Sequence, residues 1–284
     1  MSSSPQFDVS PSQSLLAAPD IRLDAIDASA TPGFGGGKKE GRLRLAAGEE
    51  SLSQLQEKLF AESRFGSEIS VLLILQAMDT AGKAGVVRHV VGAVDPQGVH
   101  HHAFKAPTAA EKRHPFLWRI EKQLPTAGMI GVFDRSHYED VLIHRVRSFS
   151  TPEVIEERYQ AIRDFEAGLV KGGTRVIKVM LHISAEEQKK RLAERLERRD
   201  KHWKYNPGDL EERAHWNAYQ EAYQIAIERT STPDSPWYVV PANRKWYARI
   251  AVQQLLIDAL NQMQLSWPKA TFDVRQEMVK LAAT

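Results

Sequence analysis

The run Val71-Leu-Leu-Ile-Leu75-Gln-Ala-Met-Asp79-Thr-Ala-Gly82-Lys83-Ala-Gly85-Val-Val-Arg88-His-Val-Val91 decides the fold. Its opening residues are aliphatic without alternation, the pattern of a strand buried on both faces. A tight turn containing Gly82 and Gly85 follows, and then valines at helical spacing. Strand, glycine-bearing turn, lysine and helix start together make a phosphate loop, in which backbone N–H groups and a helix N-terminus face an anion. Lys83 supplies a point charge there, and Gly82, Gly85 and Arg88 are candidate contacts to the bound anion. The match to G-x-x-x-x-G-K-[ST] is partial, because Ala77 takes the first glycine position and Ala84 the place of a metal-binding hydroxyl. A metal at such a loop therefore needs another hard oxygen, and Asp79 lies inside the loop to supply one.

Working outward, further apolar runs at His101–Lys105, Met129–Asp134, Val176–Leu181 and Trp237–Val240 read as strands buried on both faces. The stretches between them carry helix starts. Thr108 and Glu111 have capping-box spacing, as do Ser184 and Glu187. Thr151-Pro152 sets a cap before a first-turn proline. Asp209-Leu-Glu-Glu212 opens a helix carrying Trp216, Tyr219 and Tyr223. Strands alternating with helices predict a three-layer α/β/α fold around a five-stranded parallel sheet, with ligands beyond the carboxyl ends of the strands.

Asp134 closes its strand as a Walker B aspartate does, so a parallel sheet brings it to the edge occupied by the phosphate loop. Asp79 and Asp134 are thus candidate ligands of one Mg²⁺; a helix cap is the plainer reading of Asp134. Arg135 follows, with a fork of donors suited to a phosphoryl group. Glu139 stands at capping-box spacing from Ser136, so it is a cap or a substrate contact. Lys105, at the end of the second strand, is a further candidate contact. The segment Arg198-Arg199-Asp-Lys201-His-Trp-Lys204 is dense in donors and ends at Pro207-Gly208, which fits a mobile basic lid over about 195–212. Lys189, Lys190 and Arg191, just before it, read as a solvated helix face. His100, His101 and His102 alternate faces of a strand and cannot converge on a metal.

The 284 residues carry a net charge of +2, so a polyanionic ligand must be met by a local basic cluster. Cysteine is absent, which excludes disulfides, thiolate metal sites and thiol nucleophiles and suits a cytoplasmic setting. No apolar run is long enough to span a membrane. Residues 1–45, rich in glycine, serine and proline, read as an N-terminal tail or strap, 46–265 as the body, and 266–284 as a C-terminal extension.

The blocks Ala77–Gly85, Asp95-Pro-Gln-Gly98, Phe104–Thr108, Phe116–Arg119, Asp134–Val141 and Arg198–Lys204 stand in the order of the family 2 polyphosphate kinases, which the chain resembles from Leu52 to Gln264. The resemblance implies a P-loop kinase fold with a helical lid over residues 46–265. It also implies Mg²⁺-dependent transfer of the terminal phosphoryl group of inorganic polyphosphate to an adenine or guanine nucleotide, AMP to ADP and/or ADP to ATP. Asp79 and Asp134 would hold magnesium, and Lys83 would contact phosphate. Arg135, Arg198, Arg199, Lys201 and Lys204 would meet donor or acceptor phosphates. A homodimer or homotetramer, with no nucleic-acid or membrane partner, is the implied assembly. An ATP-dependent nucleoside monophosphate kinase and a non-catalytic polyphosphate or nucleic-acid binding module remain the alternatives.

Overall fold

The computed structural model describes residues 5–284. Strands β1 (Ser70–Ala77), β2 (Val99–Ala103), β3 (Ile130–Asp134), β4 (Thr174–His182) and β5 (Trp237–Pro241) pair in parallel in the order β2-β3-β1-β4-β5. The α-helical segments of the described residues are α1 (Pro11–Ser14), α2 (Lys38–Ser63), α3 (Lys83–His89), α4 (Trp118–Glu121), α5 (Ile143–Val146), α6 (Pro152–Lys171), α7 (Ala185–Glu197), α8 (Gly208–Ala214), α9 (Trp216–Thr230), α10 (Lys245–Gln262) and α11 (Val274–Ala282). None is long and apolar enough to cross a membrane.

Every residue of β1 is buried, as its unbroken aliphatic run requires of a central strand. The chain leaves β1 for the far edge at β2, returns through β3 beside β1, and then crosses to β4 and β5. The reversal opens a crevice at the carboxyl ends of β1 and β3. Helices α2, α3 and α10 form one layer, and α6 with α9 the other. A Cβ at Gly41 would lie 2.2 Å from the Trp246 ring, so glycine at that point lets α2 lie closely against α10.

Three expectations need correction. The second strand begins two residues earlier than its sequence suggests, and it is a half-exposed edge strand. Its histidines diverge: His100 Nε2 meets Gln123 Oε1 at 3.3 Å, while the His102 ring lies against Phe104. The helix expected from Asp209 through Tyr223 breaks near His215 into α8 and α9. Residues 38–45, grouped with the tail on composition, open α2, where the Glu40 carboxylate accepts from the Gly37 N–H at 3.0 Å.

The segment before them is a strap. Ala17 N–H donates to Trp237 O and Val239 N–H to Leu15 O, each at 2.9 Å, which covers the edge of β5. Leu23 and Phe34 are buried beneath it. At the other terminus α11 is exposed throughout. The Thr108–Glu111 capping box forms, with bonds of 2.7 and 3.2 Å, but opens only a 3₁₀ turn. The Ser184 hydroxyl caps α7 by accepting from Glu187 N–H, whereas the Glu187 side chain turns to Arg191.

Within the sheet's α6 face lies a buried polar network. Lys178 of β4 is fully buried and meets Glu166 of α6 at 2.6 Å. Its ammonium also donates to Thr230 O at 2.7 Å and to the Tyr138 hydroxyl at 3.2 Å. The Tyr138 hydroxyl and Ser235 donate to Glu166 at 2.8 and 2.9 Å, and His137 Nε2 lies 3.2 Å from it. Burial works to raise the Glu166 pKa, but Lys178 and His137 outweigh it and hold the carboxyl below its ordinary range. Lys178→Met leaves that carboxylate without its cation and is expected to cost about 3–5 kcal/mol in urea unfolding. The double variant Lys178→Met/Glu166→Gln should cost less than Lys178→Met alone. A double variant at least as unstable as Lys178→Met would refute this account.

Candidate active site

Asp134, at the end of β3, pairs in register with Leu75 of β1, so the β3 terminus emerges beside the phosphate loop. Both turns there are strained. Thr80 and Arg135 have φ of 67° and 65°, which for non-glycine residues costs on the order of 1–3 kcal/mol each. Gly82, at 127°, takes a conformation open to glycine, directly before α3 begins at Lys83. Arg135 N–H donates to Leu75 O at 3.0 Å, which ties the second turn to the central strand.

Four charges cross between these turns. Arg135 Nη2 donates to Asp79 Oδ1 at 3.2 Å, and Lys83 Nζ lies 3.7 Å from Asp134 Oδ1. Each turn thus contributes one acid and one base, paired with those of the other. Together with Gly82, Lys105 and Arg195 they line a cavity of about 330 Å³. Glu139 foremost, with Asp79 adding, raises the Arg135 pKa against the effect of burial, so this guanidinium stays charged. Burial in turn pushes the Glu139 carboxyl upward, opposed by Arg135 and Lys83. Glu139 does not close a capping box. The Ser136 hydroxyl accepts from Tyr138 N–H, while Glu139 Oε1 accepts from the Gln76 amide nitrogen at 3.1 Å when the Gln76 amide oxygen faces Ser136 N–H.

Two further spaces flank this centre. On one side a groove of about 300 Å³ is lined by Gly82, Gly85, Arg88, Arg195, Arg198, Lys201, Lys204, Lys245 and Arg249, with Glu194 its only acid. Burial, with Arg42 and Arg88, lowers the Arg249 pKa, so cations crowd one another there. On the other side a cavity of about 530 Å³ is lined by Phe104, Phe116 and Phe149 together with Lys105, Lys112, Arg119, Arg135, Glu139, Asp140 and Arg158. The Arg119 and Arg158 guanidinium carbons stand 5.5 and 5.4 Å from the Phe104 and Phe116 ring centres. Both arginines face Asp140, at 3.7 and 3.9 Å.

The structure therefore brings Asp79, Gly82, Lys83, Lys105, Asp134 and Arg135 to one centre. It sets Gly85, Arg88, Arg198, Lys201 and Lys204 along the groove, and Glu139 in the aromatic cavity. Arg199 is exposed and lines none of these three spaces. Arg191 is a correction. Its side chain is 3% exposed and donates to loop carbonyls, so it is no solvated residue. Lys245, Arg249 and Arg158 were not singled out in the sequence, since they come from helices distant in the chain from the loop.

The donor set suits magnesium. Among the described residues no three His, Cys, Asp or Glu side chains cluster as a closed metal cage. Magnesium instead takes one or two carboxylates and completes its shell with water and substrate phosphate oxygens. Asp79 and Asp134 are such carboxylates, and the Thr80 hydroxyl beside them is buried without a hydrogen-bond partner.

The sequence profile described as "Polyphosphate kinase 2 (PPK2)" matches residues 37–268, and so reaches further toward the N-terminus than the motif blocks do. The chain is 44% identical over 253 residues to the AMP/ADP-polyphosphate phosphotransferase of Meiothermus ruber, covering 88% of this chain and 93% of that one. It is 42% identical over 248 residues to the ADP-polyphosphate phosphotransferase of Rhodopseudomonas palustris, covering 82% and 83%. The crystal structure of polyphosphate kinase 2 from Arthrobacter aurescens TC1 superposes with a TM-score of 0.97 at 58% identity, covering 98% of this chain and 99% of that one. With the ordered motifs, the five-stranded parallel sheet and these likenesses in agreement, the chain belongs to the polyphosphate kinase 2 family.

Proposed function

We propose that this protein transfers the terminal phosphoryl group of inorganic polyphosphate to an adenine nucleotide, forming ADP from AMP and ATP from ADP. The observation that carries this reading is the crossed quartet of Asp79, Arg135, Lys83 and Asp134, standing between a groove whose charged lining is cationic but for Glu194 and a cavity that mixes aromatic rings with cations. A long, flexible polyanion suits the groove, because repeated charges meet repeated charges there and no Phe, Tyr or Trp lines it. A nucleotide suits the other cavity, which offers aromatic faces to a base and guanidinium groups to its phosphate. The names of the Meiothermus ruber and Rhodopseudomonas palustris relatives support both acceptors.

The chemistry follows from charge. Donor and acceptor repel each other, and Lys83, Arg135 and the groove cations offset that repulsion while aligning the two ends. An acceptor phosphate oxygen attacks the terminal phosphorus of the chain, the bond to the bridging oxygen breaks, and the chain leaves one unit shorter. No protein nucleophile is needed. Magnesium held by Asp79 and Asp134 would spread negative charge from the phosphate oxygens. The absence of cysteine is consistent with a cytoplasmic setting, and a homo-oligomer is part of this reading.

Phosphorus NMR of the protein with polyphosphate, Mg²⁺ and AMP should show ADP phosphates growing without added ATP. Turnover only when ATP is supplied would select the ordinary nucleoside monophosphate kinase instead. Asp79→Asn, Asp134→Asn and Lys83→Ala are each expected to lower kcat by about 100-fold or more, as loss of a preorganised electrostatic contact does, without loss of fold. Wild-type rates in all three would refute the assignment. Arg88→Glu and Arg249→Glu should raise KM for polyphosphate and leave KM for AMP near its wild-type value. The opposite pattern would exchange the two binding spaces.

A further inference from the structure

The phosphate loop is held from behind by the helix that leads into the lid. Gln188 Nε2 donates to Asp79 O at 3.1 Å, and Arg191 Nη1 donates to Thr80 O at 3.0 Å and Ala81 O at 2.8 Å. Three successive carbonyls of the loop thus point at one face of α7. In a trans peptide the carbonyl of one residue and the N–H of the next point in opposite directions. Fixing the carbonyls of Asp79, Thr80 and Ala81 therefore turns the N–H groups of Thr80, Ala81 and Gly82 away from α7. Ala81 N–H closes the turn on Met78 O at 3.3 Å, and Thr80 and Gly82 line both the central cavity and the groove.

All five donors of Arg191 are used. Beyond the two bonds to the loop, Nη2 donates to Ala242 O at 2.7 Å and Asn243 O at 2.9 Å, and Nε donates to Glu187 Oε1 at 2.8 Å. Only a guanidinium offers five N–H groups in a rigid fork; an ammonium has three and no plane. The same arginine thereby joins the loop to the segment between β5 and α10, whose Asn243 N–H is held by Ala28 O of the N-terminal strap. Arg195 of the same helix and Arg198 just beyond its end line the basic groove, and Arg191 borders it with every donor already taken.

We propose that Arg191 and Gln188 are positioning residues of the reaction: they orient the peptide groups of residues 79–82, and through them the Asp79 carboxylate and the loop amides, and Arg191, although it borders the groove, has no donor left for substrate. This rests on the loop being the phosphate site, as the proposed function has it. The mechanism asks nothing else of these two side chains, and the strained Thr80 backbone needs an external hold.

The test compares Arg191→Lys, Gln188→Leu and Arg191→Ala with Asp79→Asn and Lys83→Ala in the full chain. Each is assayed for ADP formation from AMP and polyphosphate, with circular dichroism and melting temperature measured alongside. Arg191→Lys is expected to fold and to lose about 100-fold in kcat, the scale of a displaced reacting group. KM for AMP should stay near wild type. Gln188→Leu, which removes one of the three carbonyl bonds, should lose less. Guanidinium ion added to Arg191→Ala should restore part of the rate, which a merely structural loss would not show. Should Arg191→Lys fail to fold, Gln188→Leu and the guanidinium rescue decide. Wild-type kcat in folded Arg191→Lys and Gln188→Leu, with Asp79→Asn and Lys83→Ala inactive, would overturn the positioning role and leave the proposed function standing. Wild-type kcat in all of them would overturn the reading of the loop itself.

Discussion

Negative charge has to be brought up to negative charge at the carboxyl edge of this sheet, and the two carboxylates already there are each tethered to a cation on the opposite turn. Asp79 of the loop is held by Arg135, and Asp134 of β3 by Lys83. At about 4 Å such a pair is worth about 4 kcal/mol of Coulomb energy when the effective dielectric constant is about 20. The crossing means that neither turn carries excess charge of its own, and the two cannot drift apart without separating both pairs. An arriving phosphate then exchanges partners within a frame that already exists. In the proposed reaction Lys83 and Arg135 would turn from carboxylate to phosphate while Asp79 and Asp134 become available to a divalent cation.

The topology gives that frame two approaches of different chemistry. β1 and β3 are neighbours at the reversal of strand order, so the loop after β1 and the turn after β3 share one crevice. From the loop side the walls are α3, α7, α10 and the segment 198–204, whose charged inward residues are basic but for Glu194. From the β2–β3 side they are Phe104, Phe116 and Phe149, with arginines braced on Asp140. The first wall suits repeated charge and the second a ring attached to charge, which is the assignment the proposed function makes. The +2 net charge of the whole chain conceals this asymmetry, because the bases are concentrated where the acids are not.

Much of the frame was legible in the sequence. A strand without alternation, a glycine turn, Lys83 at a helix start and a second strand ending in Asp134 are local patterns, and a parallel sheet brings both ends to one edge. The misses share a physical cause. β2 is polar and half-exposed because an edge strand has only one neighbour, a property of strand order that no short stretch of sequence states. Arg191 looked solvated because it sits between Lys189, Lys190 and Glu194 in a charged run. Its helical phase told otherwise: Ser184 caps α7, and Gln188, Arg191 and Leu192 fall on one stripe, the stripe that is buried. Polar residues at apolar spacing were the available signal. Lys245 and Arg249 gave none, since only the docking of α10 beside α3 brings them to the groove.

The two turns that carry the chemistry are each backed by buried polar groups in preference to apolar ones. Behind Arg135 the next residues along the turn, His137 and Tyr138, reach Glu166 and Lys178 inside the protein. Behind Thr80 stands Arg191. Apolar packing is non-directional and would tolerate a peptide flip that left volume unchanged. A strained backbone, with φ near 65° at Thr80 and Arg135, would take such a flip as relief. Hydrogen bonds to a given carbonyl or carboxylate resist it, because the flip would leave buried donors without acceptors. Interior charges are a costly way to gain stability alone. Their position directly behind both strained turns suits the one task that apolar side chains cannot perform there, which is to fix the direction in which the backbone presents its charges.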